Sequence, residues 1–163
     1  MTVSLILGGA ASGKSAAAER LAARLAAPIT YVATWVPDPD DADMQARVAV
    51  HRARRPPGWE VRECGADLVA VTAALTGTVL IDSLGPWVAT VGDGGVAELC
   101  RVVRDREGDT VVVSEEVGLA VHPSTEVGRR FRDTLGRVNQ SVAAVADQVW
   151  LVVAGRVVVL GEP

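Results

Sequence analysis

Aromatic side chains are scarce in this chain, at 4% of 163 residues, although 49% of the residues are hydrophobic. Large ring stacks cannot build the interior, which must come from Val, Leu, Ala and Ile, a composition suited to buried parallel strands flanked by Ala-rich helices. Only two cysteines are present, Cys64 and Cys100, too few and too unpatterned for a disulfide framework or a zinc site. Both read as small buried hydrophobes and point to a reducing compartment. No apolar run approaches the roughly 20 residues that span a bilayer, and Met1 to Leu7 is too short and uncharged for a secretory signal. The expectation is a soluble cytoplasmic protein. An excess of positive charge is missing too: the net charge is -4, which argues against a phosphate-backbone interface with nucleic acid and for small-molecule partners.

The last scarcity is the most informative. Of 16 basic residues only Lys14 is lysine. A chain that uses arginine elsewhere and lysine here suggests a site that needs a compact ammonium where a planar guanidinium would not fit.

At this length a single core is expected, one domain spanning residues 1–163. Val3 to Leu7 reads as a strand, and Lys14 to Leu25, with Leu21 and Leu25 at helical spacing, as a helix. Ile29 to Ala33 is a second strand, followed by a polar loop around Pro37 and Pro39 and a helical stretch from Met44 to Arg54 that Pro56-Pro57-Gly58 stops. Val61-Arg62 is a short strand ending at Glu63, and Leu68, Val71 and Leu75 mark a short helix. Thr78 to Asp82 is an apolar strand closed by an acid, Gly92 to Gly95 breaks the chain before a helix through Arg104, and Thr110 to Ser114 is a buried strand. From Thr125, the spacing of Val127, Phe131, Leu135, Val138, Val142 and Val145 predicts one long amphipathic helix. Val149–Val153 and Val157–Leu160 flank Ala154-Gly155, which predicts an antiparallel hairpin at the sheet edge. The class is therefore α/β: a three-layer, mostly parallel sheet, with ligands expected at the carboxyl ends of its strands.

Between the first strand and first helix lies Gly8-Gly9-Ala10-Ala11-Ser12-Gly13-Lys14-Ser15, which fits the phosphate-binding pattern G-x-x-x-x-G-K-[ST]. Glycines let backbone amides wrap round the β- and γ-phosphates, and the helix adds its N-terminal partial charge. Lys14 would bridge phosphate oxygens, and Ser15 would place its hydroxyl on Mg²⁺. Asp82 could reach the same ion from the end of its strand; alone, it also reads as a turn-forming aspartate before Ser83-Leu84-Gly85. His51 stands among arginines, in Arg47-Val48-Ala49-Val50-His51-Arg52-Ala53-Arg54-Arg55. Neighbouring cations favour a neutral, nucleophilic imidazole, yet spacing alone favours a solvated basic helix with one histidine. His122, beside Pro123, reads as a loop residue.

Several blocks together resemble the bifunctional adenosylcobinamide kinase and adenosylcobinamide-phosphate guanylyltransferase family of cobalamin biosynthesis. They are Leu7-Gly8-Gly9 with Ser12-Gly13-Lys14-Ser15, Tyr31-Val32-Ala33-Thr34, Met44-Gln45-Ala46-Arg47 with His51 and Arg55-Pro56, and Leu80-Ile81-Asp82. Further along come Glu116-Val117-Gly118, Arg130-Phe131-Arg132-Asp133, Gly136-Arg137-Val138-Asn139-Gln140 and Val149 to Gly155. The resemblance implies guanine-nucleotide contacts at Ala33, Thr34 and Trp35 and at Arg52, Ala53, Arg54 and Arg55, with further nucleotide contacts at Glu63 and Asp82. It implies that His51 is the histidine that becomes guanylylated, and that Asn139 faces the corrinoid or a neighbouring subunit. It also implies ATP and GTP as substrates, Mg²⁺ as cofactor, and a homotrimer with active sites between subunits. Three features depart from the family pattern: Val50 where some members carry a second histidine, Ser114-Glu115-Glu116 in place of an Asn-Glu pair, and a glycine-poor loop at Leu119 to Pro123. The alternatives are a single-function small-molecule kinase and a nucleotide-dependent switch. The switch would read guanine through an Asn-Lys-x-Asp element, which a chain whose only lysine is Lys14 does not contain.

Overall fold

The computed structural model describes residues 1–35 and 56–161. The polar loop and the helix expected between Pro37 and Arg54 lie outside the described residues. The elements run in order β1 (Val3–Gly8), α1 (Lys14–Ala22), β2 (Ile29–Ala33), β3 (Glu60–Glu63), a 3₁₀ turn at Gly65–Asp67, α2 (Leu68–Ala74) and β4 (Thr78–Asp82). They continue with α3 (Leu84–Val91), α4 (Val96–Asp105), β5 (Thr110–Glu115), α5 (Glu126–Ala143), β6 (Gln148–Val153) and β7 (Arg156–Leu160).

Among the described residues seven strands form one sheet, in the order β3-β2-β4-β5-β1-β6-β7. Every pairing among these strands is parallel except β6 with β7, the hairpin expected from Ala154-Gly155. The strands in the middle read as unbroken apolar runs because helices cover both faces. Successive side chains then go to opposite layers. Leu5 and Leu7 join Val79, Ile81, Val112, Trp87, Leu99, Leu135 and Val138 on one face, while Ile6 joins Tyr31, Leu80, Val111, Val113 and the small side chains Ala17, Ala18 and Ala22 on the other. The alanines bring α1 close against the strands, so the start of that helix sits immediately above the end of β1. Because the chain leaves β1 toward β2 through β5 on one side and β6 and β7 on the other, β1 ends at the point where the strand order reverses, the usual crevice for ligands.

Three expectations need correction. Helix α1 stops at Ala22 rather than Leu25, with its last turn tightened by bonds from Arg24 N to Leu21 O and Leu25 N to Ala22 O, each 3.0 Å. Helix α5, capped by the Thr125 hydroxyl accepting from Gly128 N at 3.1 Å, ends at Ala143. Val145 therefore lies beyond it, and Val127, at 79% exposed, does not join the buried stripe. Finally, Ser83-Leu84-Gly85 does not make a plain turn but opens helix α3. Pro86 is tolerated there because it lies in the first turn, where amides have no intrahelical acceptor. Burial of Leu84 and Trp87, 0% and 1% exposed, holds the helix in place.

Arg106 fastens the amino-terminal edge of the sheet. It is 7% exposed. Its Nη1 donates to Gly108 O, Asp109 O and Thr110 Oγ1 at 3.2, 3.0 and 3.0 Å, and its Nη2 to Leu75 O and Gly77 O at 3.2 and 2.8 Å. Burial holds the guanidinium below its ordinary range, and Asp109 opposes that. Truncation would strand several buried carbonyls at about 1–3 kcal/mol each before relaxation. We expect Arg106→Ala to lower stability by about 3 kcal/mol or more in urea unfolding, with nucleotide affinity per folded molecule maintained.

Candidate active site

The carboxyl ends of the parallel strands place Gly8, Ala33, Asp82 and Glu115 along one edge, and the residues that matter follow from that register. After β1 the chain turns over itself: Ser12 N donates to Gly9 O at 3.3 Å, and Ser12 Oγ accepts from Lys14 N at 3.3 Å. A Cβ on Gly8 would lie 2.4 Å from Ser12 Oγ and 2.9 Å from Val152 O, so a glycine is required for the turn to close. Gly13, at φ 91°, adopts the left-handed conformation that glycine alone takes cheaply and hands the chain into α1. The loop is also supported from the hairpin, since Gly155 N donates to Ser12 O at 2.8 Å.

Lys14 folds back over the loop, with Nζ 3.4 Å from Gly9 O and 3.9 Å from Glu115 Oε1. Next to it, Ser15 Oγ donates to Asp82 Oδ1 at 3.3 Å, and the Tyr31 hydroxyl donates to Asp82 Oδ2 at 2.8 Å. Tyr31 is itself buried, so it fixes the carboxylate from behind. A hydroxyl and a carboxylate facing one another beside a phosphate loop form the all-oxygen donor set that a hard divalent cation takes together with nucleotide phosphates. Among the described residues no cluster of three His, Cys, Asp or Glu forms a protein-only cage, so any such ion would complete its shell from ligand and water. Thr34 Oγ1 donates to Ser83 O, tying the end of β2 to the β4–α3 junction, where the Asp82–Ser83 peptide is cis.

Glu63 closes β3, opposite Ala33, at the far edge of the sheet. Four strand spacings separate β3 from β1, roughly 19 Å, so Glu63 is not in the phosphate loop's own neighbourhood. It borders a cavity of about 740 Å³ lined by Pro56, Pro57, Gly58, Trp59, Val61 and Arg62. His51 and Arg52, Ala53, Arg54 and Arg55 lie outside the described residues. His122 stands in the exposed loop before α5, its Nδ1 2.8 Å from Arg132 Nη1. Asn139 is turned inward. It is 7% exposed, its Oδ1 accepts from Ser114 Oγ at 2.6 Å, and its Nδ2 donates to Glu115 O at 3.0 Å. The helix position that carries it points into the sheet, where it braces the end of β5.

Glu115, Ser83, Tyr31 and Gly155 are the members of the site that sequence reasoning missed. The signal for Glu115 is the one that marks Asp82, an acid ending an apolar strand.

Both cysteines are free and buried. Burial, aided by nearby Asp67, pushes the Cys64 thiol from an ordinary value of 9.0 up to about 11. The folded chain then keeps a proton that the unfolded chain releases, so this thiol subtracts stability as pH rises from about 9 to about 11. Between those pH values, the drop in unfolding free energy should be smaller in Cys64→Ala than in the parent.

A glycine turn at a topological switch point, a lysine folded over it, and a serine–aspartate pair at its flank define a P-loop nucleotide-binding fold. A solved ATPase of a type III secretion system has the same fold, at TM-score 0.56 and 12% identity over 92% of this chain and 50% of that one. The family model described as cobinamide kinase / cobinamide phosphate guanyltransferase matches residues 4–160, and the chain belongs to that family of bifunctional enzymes. Relatives include the bifunctional adenosylcobalamin biosynthesis protein CobP of Pseudomonas aeruginosa, 37% identical with 98% of each chain covered. Another is the bifunctional adenosylcobalamin biosynthesis protein CobU of Salmonella typhimurium, 35% identical over 93% of this chain and 95% of that one.

Proposed function

We propose that this enzyme phosphorylates the aminopropanol hydroxyl of adenosylcobinamide with ATP or GTP. It then transfers GMP from GTP, through guanylylated His51, to adenosylcobinamide phosphate, giving adenosylcobinamide-GDP. The observation that carries this reading is the Lys14, Ser15 and Asp82 constellation on the glycine turn, in a chain matched nearly end to end by the family.

In the kinase half, amides of Gly8 through Gly13 and the start of α1 surround the phosphates, and Lys14 spreads its charge over the oxygens that gain negative character as the phosphoryl group moves. Mg²⁺, when bound, would supply electrostatic stabilisation of the same oxygens, held by Ser15 and Asp82. Tyr31 keeps Asp82 aimed, and Ala33, Thr34 and Trp35 line the neighbouring strand end. In the guanylyl half, His51 attacks the α-phosphorus of GTP and pyrophosphate leaves; the cobinamide phosphate oxygen then displaces the histidine nitrogen, so one hard displacement becomes two easier ones. Arg52, Ala53, Arg54, Arg55 and Glu63 complete the nucleotide contacts in this reading.

The working form we propose is a cytoplasmic homotrimer of a one-domain chain. An apolar edge supports contact between copies: Val157, Val158 and Val159 on β7 are 42%, 50% and 69% exposed, and such an edge strand normally needs cover. The functional test is chemical. Purified protein given adenosylcobinamide and ATP should form the phosphate monoester, and given adenosylcobinamide phosphate it should release pyrophosphate from GTP. Monoester formation without pyrophosphate release would leave a single-function kinase.

A further inference from the structure

We propose that Glu115 is the general base of the phosphoryl-transfer step, taking the proton from the acceptor hydroxyl. The inference rests on the kinase half of the proposed function.

Strand β5 pairs with β1 so that Glu115 lies opposite Gly8, the first residue of the phosphate loop. Its backbone is held on two sides, by Glu116 N donating to Gly8 O at 3.0 Å and by Asn139 Nδ2 donating to Glu115 O at 3.0 Å. Its carboxylate is aimed as well: Oε1 accepts from Ser83 Oγ at 2.6 Å and Oε2 from Gly85 N at 2.9 Å. A Cβ on residue 85 would sit 2.3 Å from Oε2, so the glycine near the start of α3 is what leaves room for the carboxylate.

Oε1 is 3.9 Å from Lys14 Nζ, and the Glu115 side chain is 26% exposed. If Lys14 holds the transferring phosphoryl group, Glu115 stands beside it. A site built only to bind a polyanion gains nothing from a carboxylate there, because like charges in a partly desolvated site repel. The same carboxylate has a use in catalysis. Each oxygen accepts one hydrogen bond and retains lone-pair capacity for another, enough to receive a hydroxyl proton. In this reading Asp82 has a different task, facing the Ser15 hydroxyl where the pair would hold Mg²⁺, and Glu115 is left for the proton.

In the step, the acceptor oxygen forms a bond to the γ-phosphorus while its proton passes to Glu115 Oε1. The bond from that phosphorus to the bridging oxygen breaks, the nucleoside diphosphate departs, and Glu115 returns the proton to solvent.

The test compares the parent with Glu115→Gln and Gly85→Ala. Gln keeps the shape and one acceptor, preserving most of the support to Ser83 and Gly85, but cannot take a proton. Ala at 85 retains the carboxylate and pushes it out of place. Both variants should lose about 100-fold or more in kcat for adenosylcobinamide phosphorylation. Their KM for the acceptor should stay within a few-fold of the parent's, and calorimetry should show Glu115→Gln binding Mg-nucleotide as tightly or more tightly. A kcat within threefold of the parent in either variant, or a loss in Glu115→Gln matched by weakened nucleotide binding, overturns the proposal. A parent that forms no monoester at all would instead refute the kinase reading beneath it.

Discussion

Lys14→Ala is expected to lower the rate of adenosylcobinamide phosphorylation about 1000-fold and to abolish measurable Mg-nucleotide binding at micromolar concentrations. The magnitude follows from the geometry. Lys14 is the chain's only lysine, and its Nζ lies over the loop, 3.4 Å from Gly9 O. Charge-assisted hydrogen bonds are worth about 1.5–3 kcal/mol each, and two of them to β- and γ-phosphates account for roughly three orders of magnitude. Glu115 sharpens the effect. Once the ammonium is gone, its carboxylate faces the phosphates uncompensated. Lys14→Arg should rescue poorly, because a planar fork cannot take the place of a compact ammonium under a closed turn. Initial rates with a coupled nucleoside-diphosphate assay check the first number, and calorimetry the second.

His51→Ala is expected to remove covalent guanylylation completely. With GTP labelled at the α-phosphate, the parent should retain label through denaturation and release it in acid, as a phosphoramidate does, whereas the variant should carry none. Phosphorylation of adenosylcobinamide should fall by less than tenfold in the same variant, since that step requires no attack by the imidazole. Equal labelling of parent and variant would assign the nucleophile elsewhere.

The contrast between these residues shows what local sequence can reveal. The glycine turn, Lys14 and Ser15 are legible because the cradle is continuous in the chain, and a strand must precede it and a helix follow. Asp82 is legible because an acid closing an apolar strand is a local pattern. Glu115 follows the same pattern but is masked by Glu116, and its meaning depends on lying opposite Gly8, a pairing between strands distant in sequence. Gly155 reads as a hairpin turn, which it is; its bond to Ser12 O exists only because β6 lies beside β1. Asn139 falls within a periodic helix, and only the tertiary fold shows that the helix directs it at Ser114 and Glu115. Helix α3 stays hidden because Gly85 and Pro86 are poor helix formers locally, and burial of Trp87 decides otherwise. Arg106 looks like any other arginine until the turns around Gly77 and Gly108 close on it.

The central claim is that the turn from Gly8 to Ser15 grips the phosphates of a nucleotide. It is tested most directly by titrating MgGTP into the purified protein in a calorimeter. The account predicts saturable binding that disappears in Lys14→Ala; a parent that gives no binding heat across several temperatures, or a Lys14→Ala variant that binds as the parent does, would contradict it.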